Sequence, residues 1–197
     1  CGIPAESEVL ATIRNAASLF AHHGAEVIEI DSVLTRDMLD GLDIAWRARF
    51  WGMMRDLSPA KRSEILPYIL EWAEAGASAS ATEVASGFEQ TFAMRKACAA
   101  TFNNVDFIIS PVNPTISFPA KWASPTNDPA KPFEHICFTV PWNMGEQPAC
   151  SINCGFSQSG MPIGLQIIAP RFEDLKLFQI ARAFEAWRGP ITNWPDI

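Results

Sequence analysis

The sequence predicts an α/β fold with a small mixed sheet flanked by helices. Two observations carry that prediction. Long stretches place apolar residues at helical spacing, and shorter apolar runs stop abruptly at Pro, Gly or Asn. The two patterns alternate along the chain, as they do when strands and helices share a core. The chain has 197 residues, of which 48% are hydrophobic and 19% charged. That is enough for one domain with a real core, and no repeat, charge block or Gly/Ser linker divides it. A single domain over 1–197 is therefore expected.

Ser7 to His23 is the first predicted helix, with Val9, Leu10, Ile13, Ala16, Ala17, Phe20 and Ala21 in phase. His22 and His23 fall in its last turn, before Gly24. Cations and a left-handed Gly both suit a helix C-terminus, so this His pair reads as a helix end and not as two ligands. Ala25 to Ile30, AEVIEI, reads as a short strand. Arg36 to Asp56 is helical again, through Met38, Leu39, Leu42, Ala45, Trp46, Phe50, Met53 and Met54, until Ser58-Pro59 breaks it. A short helix over about Pro67 to Ala75 precedes a loop of small residues. SATE, Ser80 to Glu83, has the spacing of a capping box. It opens the longest helix, to about Phe102, with Val84, Phe88, Phe92, Met94, Ala97 and Cys98 as its apolar positions.

Val105 to Ser110 is a predicted buried strand that stops at Pro111. Six prolines follow as far as Pro132 (Pro111, Pro114, Pro119, Pro125, Pro129 and Pro132) and enforce a long, stiff loop. Two apolar runs around a polar turn, within Ala149 to Pro170, predict a strand pair. Phe172 to Trp187 closes the fold as an amphipathic helix, with Leu175, Phe178, Ile180, Ala181 and Phe184 as its buried stripe. Glu173 and Asp174 suit the positive end of that helix.

Composition excludes several functions. The net charge of −7 and pI near 4.9 leave no basic stripe, so direct nucleic-acid binding is not expected. No apolar run reaches the roughly 18–20 residues of a membrane span. The start, CGIPAESEV, carries no initiator Met and no leader pattern, and reads as the start of a cut chain. Five cysteines, an odd number, point to reduced thiols in a cytoplasmic protein.

Motifs for chemistry are sparse. Strand alternation turns Cys150, Ile152, Cys154 and Phe156 to one face and Ser151, Asn153 and Gly155 to the other. The cysteines thus read as small core residues. No second Cys pair exists to complete a zinc site, so no metal or cofactor is expected. His135 and Cys137 form the one Cys-His candidate, but two residues apart on a strand they share a face beyond hydrogen-bond reach. SGMPIG lacks the spacing of a nucleotide loop, and no G-x-S-x-G elbow is present. The residues alone yield no self-contained catalytic set.

Three segments resemble the amidase signature family. SEVLATIRNAASLFAHHGAEVIEID is similar to a helix–strand unit that follows the family's catalytic core. ATFNNVDFIISPVNPTISFPA resembles its strand and Pro-rich turn. FTVPWNMGEQPACSINCGFSQSGMPIGLQIIAPRFEDLKLFQIARAFE is the most specific match, with Asn143, Pro148, Gly155, Gly160, Met161, Pro162, Gly164, Leu165 and Gln166 at family positions. Glu146 departs from the pattern, because the commonest form has Gly there.

The resemblance implies a C-terminal portion of an amidase signature fold. It implies hydrolysis of a carboxamide C–N bond by a Ser nucleophile, a second Ser on a cis peptide bond and a Lys. A Gly/Ser-rich loop would hold the oxyanion. None of those motifs occurs in residues 1–197; Lys61, Lys96, Lys121, Lys131 and Lys176 have no Ser-rich partner run. No catalytic residue is therefore assigned, and this portion alone is expected to be inactive. Its expected contribution is a wall of the substrate funnel, from the Pro111–Pro132 loop and the turn bearing Trp142, Asn143, Glu146 and Gln147. Gln166 is placed to bond across strands. The expected partner is a small amide substrate of the intact enzyme, with homodimer formation through exposed apolar surface. Two other readings stand beside it: a binding or interaction module on the same half-fold, and a small Cys hydrolase using His135 and Cys137.

Overall fold

Three of the predicted strands meet in one sheet. In the computed structural model, which describes residues 1–191, β1 (Ile108–Pro111), β2 (Ala149–Phe156) and β3 (Pro162–Ile168) are ordered β1-β3-β2, with antiparallel pairs. Among the described residues, seven helices surround it: α1 (Ser7–His22), α2 (Arg36–Met54), α3 (Pro59–Arg62), α4 (Pro67–Glu74), α5 (Ala81–Thr101), α6 (Val140–Gly145) and α7 (Asp174–Arg188).

Register explains the two faces of the sheet. Ile109, Ile167 and Cys150 lie in one cross-strand row, and Leu165 opposite Ile152 in the next. This face packs on Phe20 of α1 and on Leu177 and Phe184 of α7; the Phe20 and Phe184 rings stack at 5.4 Å. Cys154 joins the same cluster across a bulge between Asn153 and Gly155. The predicted inward turn of Cys150 and Cys154 therefore holds. On the other face, Ile108 and Ile168 are covered by Cys98 of α5 and Trp142 of α6. The next row there is polar throughout: Ser110, Gln166, Ser151.

Local chemistry sets the helix ends. Ser80 and Glu83 form the predicted capping box on α5. Thr35 accepts from the Met38 N–H at the start of α2. Ser58-Pro59 does more than break a helix: Ser58 caps α3 and Pro59 occupies its first turn. α2 and α5 cross closely, since a Cβ on Gly87 would lie 2.4 Å from the Gly41 carbonyl oxygen. Leu39, Leu42, Met94 and Val140 form the core beside that crossing.

Four expectations are corrected. Ala25 to Ile30 is no strand; Val27, Ile28 and Ile30 are exposed, because no described strand meets their backbone. On α7, Ala181 and Phe184 are buried as expected, but Leu175 and Phe178 point outward at 71% and 68% exposure and Leu177 is buried in their place. Leu175, Phe178 and Leu177 all keep helical spacing with Ala181, and contact with the sheet selects Leu177. On α5, Phe88 and Phe92 are exposed while Gly87, Met94 and Cys98 face the core. His135 sits in a 3-10 turn over Glu134–Ile136, not on a strand.

Candidate functional site

The polar face of the sheet lies beside the start of the Pro-rich loop. Gln166 is 5% exposed, and its Nε2 donates to Ser110 Oγ at 2.9 Å and to the Phe138 carbonyl at 2.8 Å. The expected cross-strand bond of Gln166 is thus present, and it also ties the sheet to the segment leading into α6.

Two clamps hold the Pro-rich loop. Arg47 of α2 donates to the carbonyl of Pro129 at 2.7 Å and to that of Trp72 at 3.4 Å. Asp43 aligns both partners, accepting from Arg47 Nε at 2.8 Å and from the Trp72 indole at 2.7 Å. Burial pushes the Asp43 carboxyl above its ordinary range, against the pull of these two donors. Tyr68 donates to the Asp128 carbonyl at 3.1 Å and lies 3.3 Å from the buried Ser124 hydroxyl.

The start of that loop forms a cavity of about 330 Å³ with the sheet. Asn113 and Thr115 meet Ser151 and Asn153 of β2 there, with Val9 of α1 beside them. Asn113 Oδ1 and Thr115 Oγ1 are buried and have no partner among the described residues. The lining carries no charged side chain, so it suits neutral hydrogen-bonding groups rather than proton transfer. Strand alternation had set Ser151 and Asn153 apart from the core, but nothing local paired them with Asn113 and Thr115. That pairing comes from the fold.

The four turn residues separate into two pairs. Trp142 is 5% exposed and packs edge-on to Phe102 at 6.0 Å. Gln147 is also buried and lies against Gly145, and neither of its side-chain polar atoms has a partner among the described residues. Asn143 is exposed and donates from Nδ2 to the Thr139 carbonyl at 3.2 Å. Glu146 is exposed and accepts from both Arg95 and Arg171. Its φ of 62° is left-handed, which gives a physical reason for Gly at that place in the commonest form of the pattern.

None of the four interior thiols is poised as a nucleophile. Burial pushes Cys98 up to about 12 and Cys154 to about 11, and raises Cys137 and Cys150 as well. Burial lowers His135, whose Nδ1 has no partner among the described residues. Among the described residues no group of three His, Cys, Asp or Glu is placed to hold a metal, and no helix is long and apolar enough to cross a membrane.

The Amidase family model matches residues 2–178. A glutamyl-tRNA(Gln) amidotransferase subunit from Listeria innocua is 45% identical over 84 residues, covering 43% of this chain and 17% of that protein. Its counterpart from Heliobacterium modesticaldum is 38% identical over 96 residues, 49% of this chain and 19% of the other. Among solved structures, a bacterial aryl acylamidase of the amidase signature family aligns with TM-score 0.78 and 21% identity, over 94% of this chain and 41% of the other. A 6-aminohexanoate cyclic dimer hydrolase aligns with TM-score 0.71 and 23% identity, over 93% and 42%. The chain thus spans about two fifths of the folds it resembles and matches under a fifth of the length of the amidotransferase relatives. The chain belongs to the amidase signature family.

Proposed function

We propose that residues 1–197 form one α/β unit, the C-terminal portion of an amidase that hydrolyses carboxamide C–N bonds. In this reading a Ser nucleophile, a cis-peptide Ser and a Lys lie in the remainder of the fold, and this portion is inactive alone. The supporting observation is the family match over 2–178 in a chain whose interior thiols are all held protonated by burial. The contribution proposed for this portion is a substrate wall. Asn143 and Glu146 present its surface, Trp142 and Gln147 brace it from behind, and the cavity at Asn113 and Thr115 offers neutral hydrogen-bonding groups to an amide substrate. An amidotransferase component among the relatives and an aryl acylamidase among the structural neighbours both fit amide chemistry.

The test is to express the complete reading frame alongside the 197-residue chain. Both are exposed to a serine-directed fluorophosphonate and assayed on aryl, fatty and peptide-terminal amides. Label and turnover in the complete protein alone are expected. Label or amide turnover in the 197-residue chain would overturn the reading.

A further inference from the structure

Glu146 is where this chain departs from the commonest form of the family pattern, and its carboxylate accepts from two guanidiniums at once. Arg95 comes from α5 and Arg171 from the segment after β3. Each arginine is also braced by a ring of its own. Arg95 lies one turn after Phe92 on α5, on the same helix face, and its guanidinium stands 5.6 Å from the centre of the Phe92 ring. The Arg171 guanidinium stands 5.1 Å from the centre of the Phe172 ring. Phe172 is left-handed, at φ 69°, in a turn closed by the Glu173 N–H donating to the Pro170 carbonyl. Both rings are exposed. The Nε–H of each arginine is buried and has no partner among the described residues.

Charge decides what this point accepts. Among the described residues, Glu146 is the one carboxylate within ion-pair distance of either arginine. A second carboxylate brought here meets a like charge, and finds the two forks already donating to Glu146. Such a repulsive element is how a site rejects one partner while admitting another. Without the Glu146 side chain, two planar forks would converge with no counter-charge in reach. Paired guanidinium donors of that kind suit a carboxylate, and the Phe92 and Phe172 rings would still hold them in place.

We propose that Arg95 and Arg171 form a carboxylate subsite on the substrate wall, and that Glu146 closes it from within as a specificity-determining residue. The substrates admitted are amides that are neutral at this end; those carrying a carboxylate there are rejected. The proposal rests on the reading of the turn after α6 as part of a substrate wall. The uncharged lining at Asn113 and Thr115 suits the same class of substrate.

The experiment compares the complete protein with its Glu146→Gly and Glu146→Ala variants and with a Glu146→Gly, Arg171→Gln double variant. Calorimetric titration at low salt reads the binding of benzoate, with benzamide as its neutral match. Benzoate should bind roughly tenfold or more tightly in both single variants than in the parent, with benzamide unchanged. Arg171→Gln should remove that gain. The preference in kcat/KM for a neutral aryl amide over the same amide with an acid substituent should fall by roughly tenfold in Glu146→Gly. Equal benzoate affinity in the parent and both single variants would overturn the proposal. So would a gain shared by benzamide, or one that survives Arg171→Gln. Binding is read without turnover. Amide hydrolysis with no gain in benzoate binding would sink the subsite alone, and the gain in a protein that hydrolyses no amide would sink the amidase reading alone.

Discussion

Glu146 joins Arg95 of α5 to Arg171 beyond β3 while its own backbone is left-handed, at φ 62°. That conformation costs a non-Gly residue about 1 kcal/mol. The two ion pairs are roughly half exposed, so each contributes only a few tenths of a kcal/mol to about 1. The opposing effects are therefore comparable. Glu146→Gly should stay within about 1 kcal/mol of the parent in urea denaturation, because relieved strain offsets the lost pairs. Glu146→Ala loses the pairs and keeps the strain, so it should be the less stable variant by about 1 kcal/mol. Equal stability of the two would mean that the turn carries no strain.

Gly87 and Gly52 predict opposite outcomes for one substitution. A Cβ at Gly87 would meet the Gly41 carbonyl at 2.4 Å, whereas nothing lies within 4 Å of one at Gly52. Gly87→Ala should destabilise by about 1–3 kcal/mol through overpacking at the α2–α5 crossing. Gly52→Ala should stabilise by about 0.5–1 kcal/mol through helix propensity. Thermal unfolding of the two variants reads both.

Arg47 holds the Pro-rich loop by its forked donors, to Pro129, Trp72 and Asp43. An ammonium cannot span these three acceptors. Arg47→Lys should lose about 1–3 kcal/mol and speed tryptic cleavage at the exposed Lys121. Tyr68→Phe, which removes one clamp only, should have a smaller effect on the same cleavage rate.

Gln166 supplies the donor that satisfies the Phe138 carbonyl. Gln166→Leu leaves that acceptor unpaired and should cost about 1–3 kcal/mol. Gln166→Glu sets a carboxylate against it and should cost more at pH 7. A Glu variant as stable as the parent would remove Gln166 from this role.

His135 predicts a pH dependence of stability. Burial lowers its pKa below 6.5, so the unfolded chain takes up the proton first as the pH falls. Its contribution is fully present above about pH 6.5 and is lost as the pH drops through the folded-state value. Denaturant midpoints at pH 7.5 and 5.5 should differ in the parent, and the gap should narrow in His135→Gln.

Much of this molecule is legible in the chain. Helical spacing locates α1, α2 and α5 to within a few residues, and SATE marks the α5 cap. Strand alternation turns Cys150 and Cys154 into the core and so removes them as a metal pair. The GMPIGLQ run within Gly160–Gln166 carries the family signal. The site is less legible. Trp142, Asn143, Glu146 and Gln147 are neighbours in sequence, yet two are buried and two exposed, because a helix end turns successive residues to different sides.

By itself, then, the sequence determined the family, the helix positions and the inward face of β2, because each is written in local periodicity or in contiguous residues. The tertiary structure alone decided which stripe of α7 and α5 is buried, which loop atoms gather around Ser151 and Asn153, and that Ala25–Ile30 stays unpaired beside β1. Those outcomes depend on which surfaces and edges arrive from distant parts of the chain. Periodicity describes a segment's faces and leaves open what meets them.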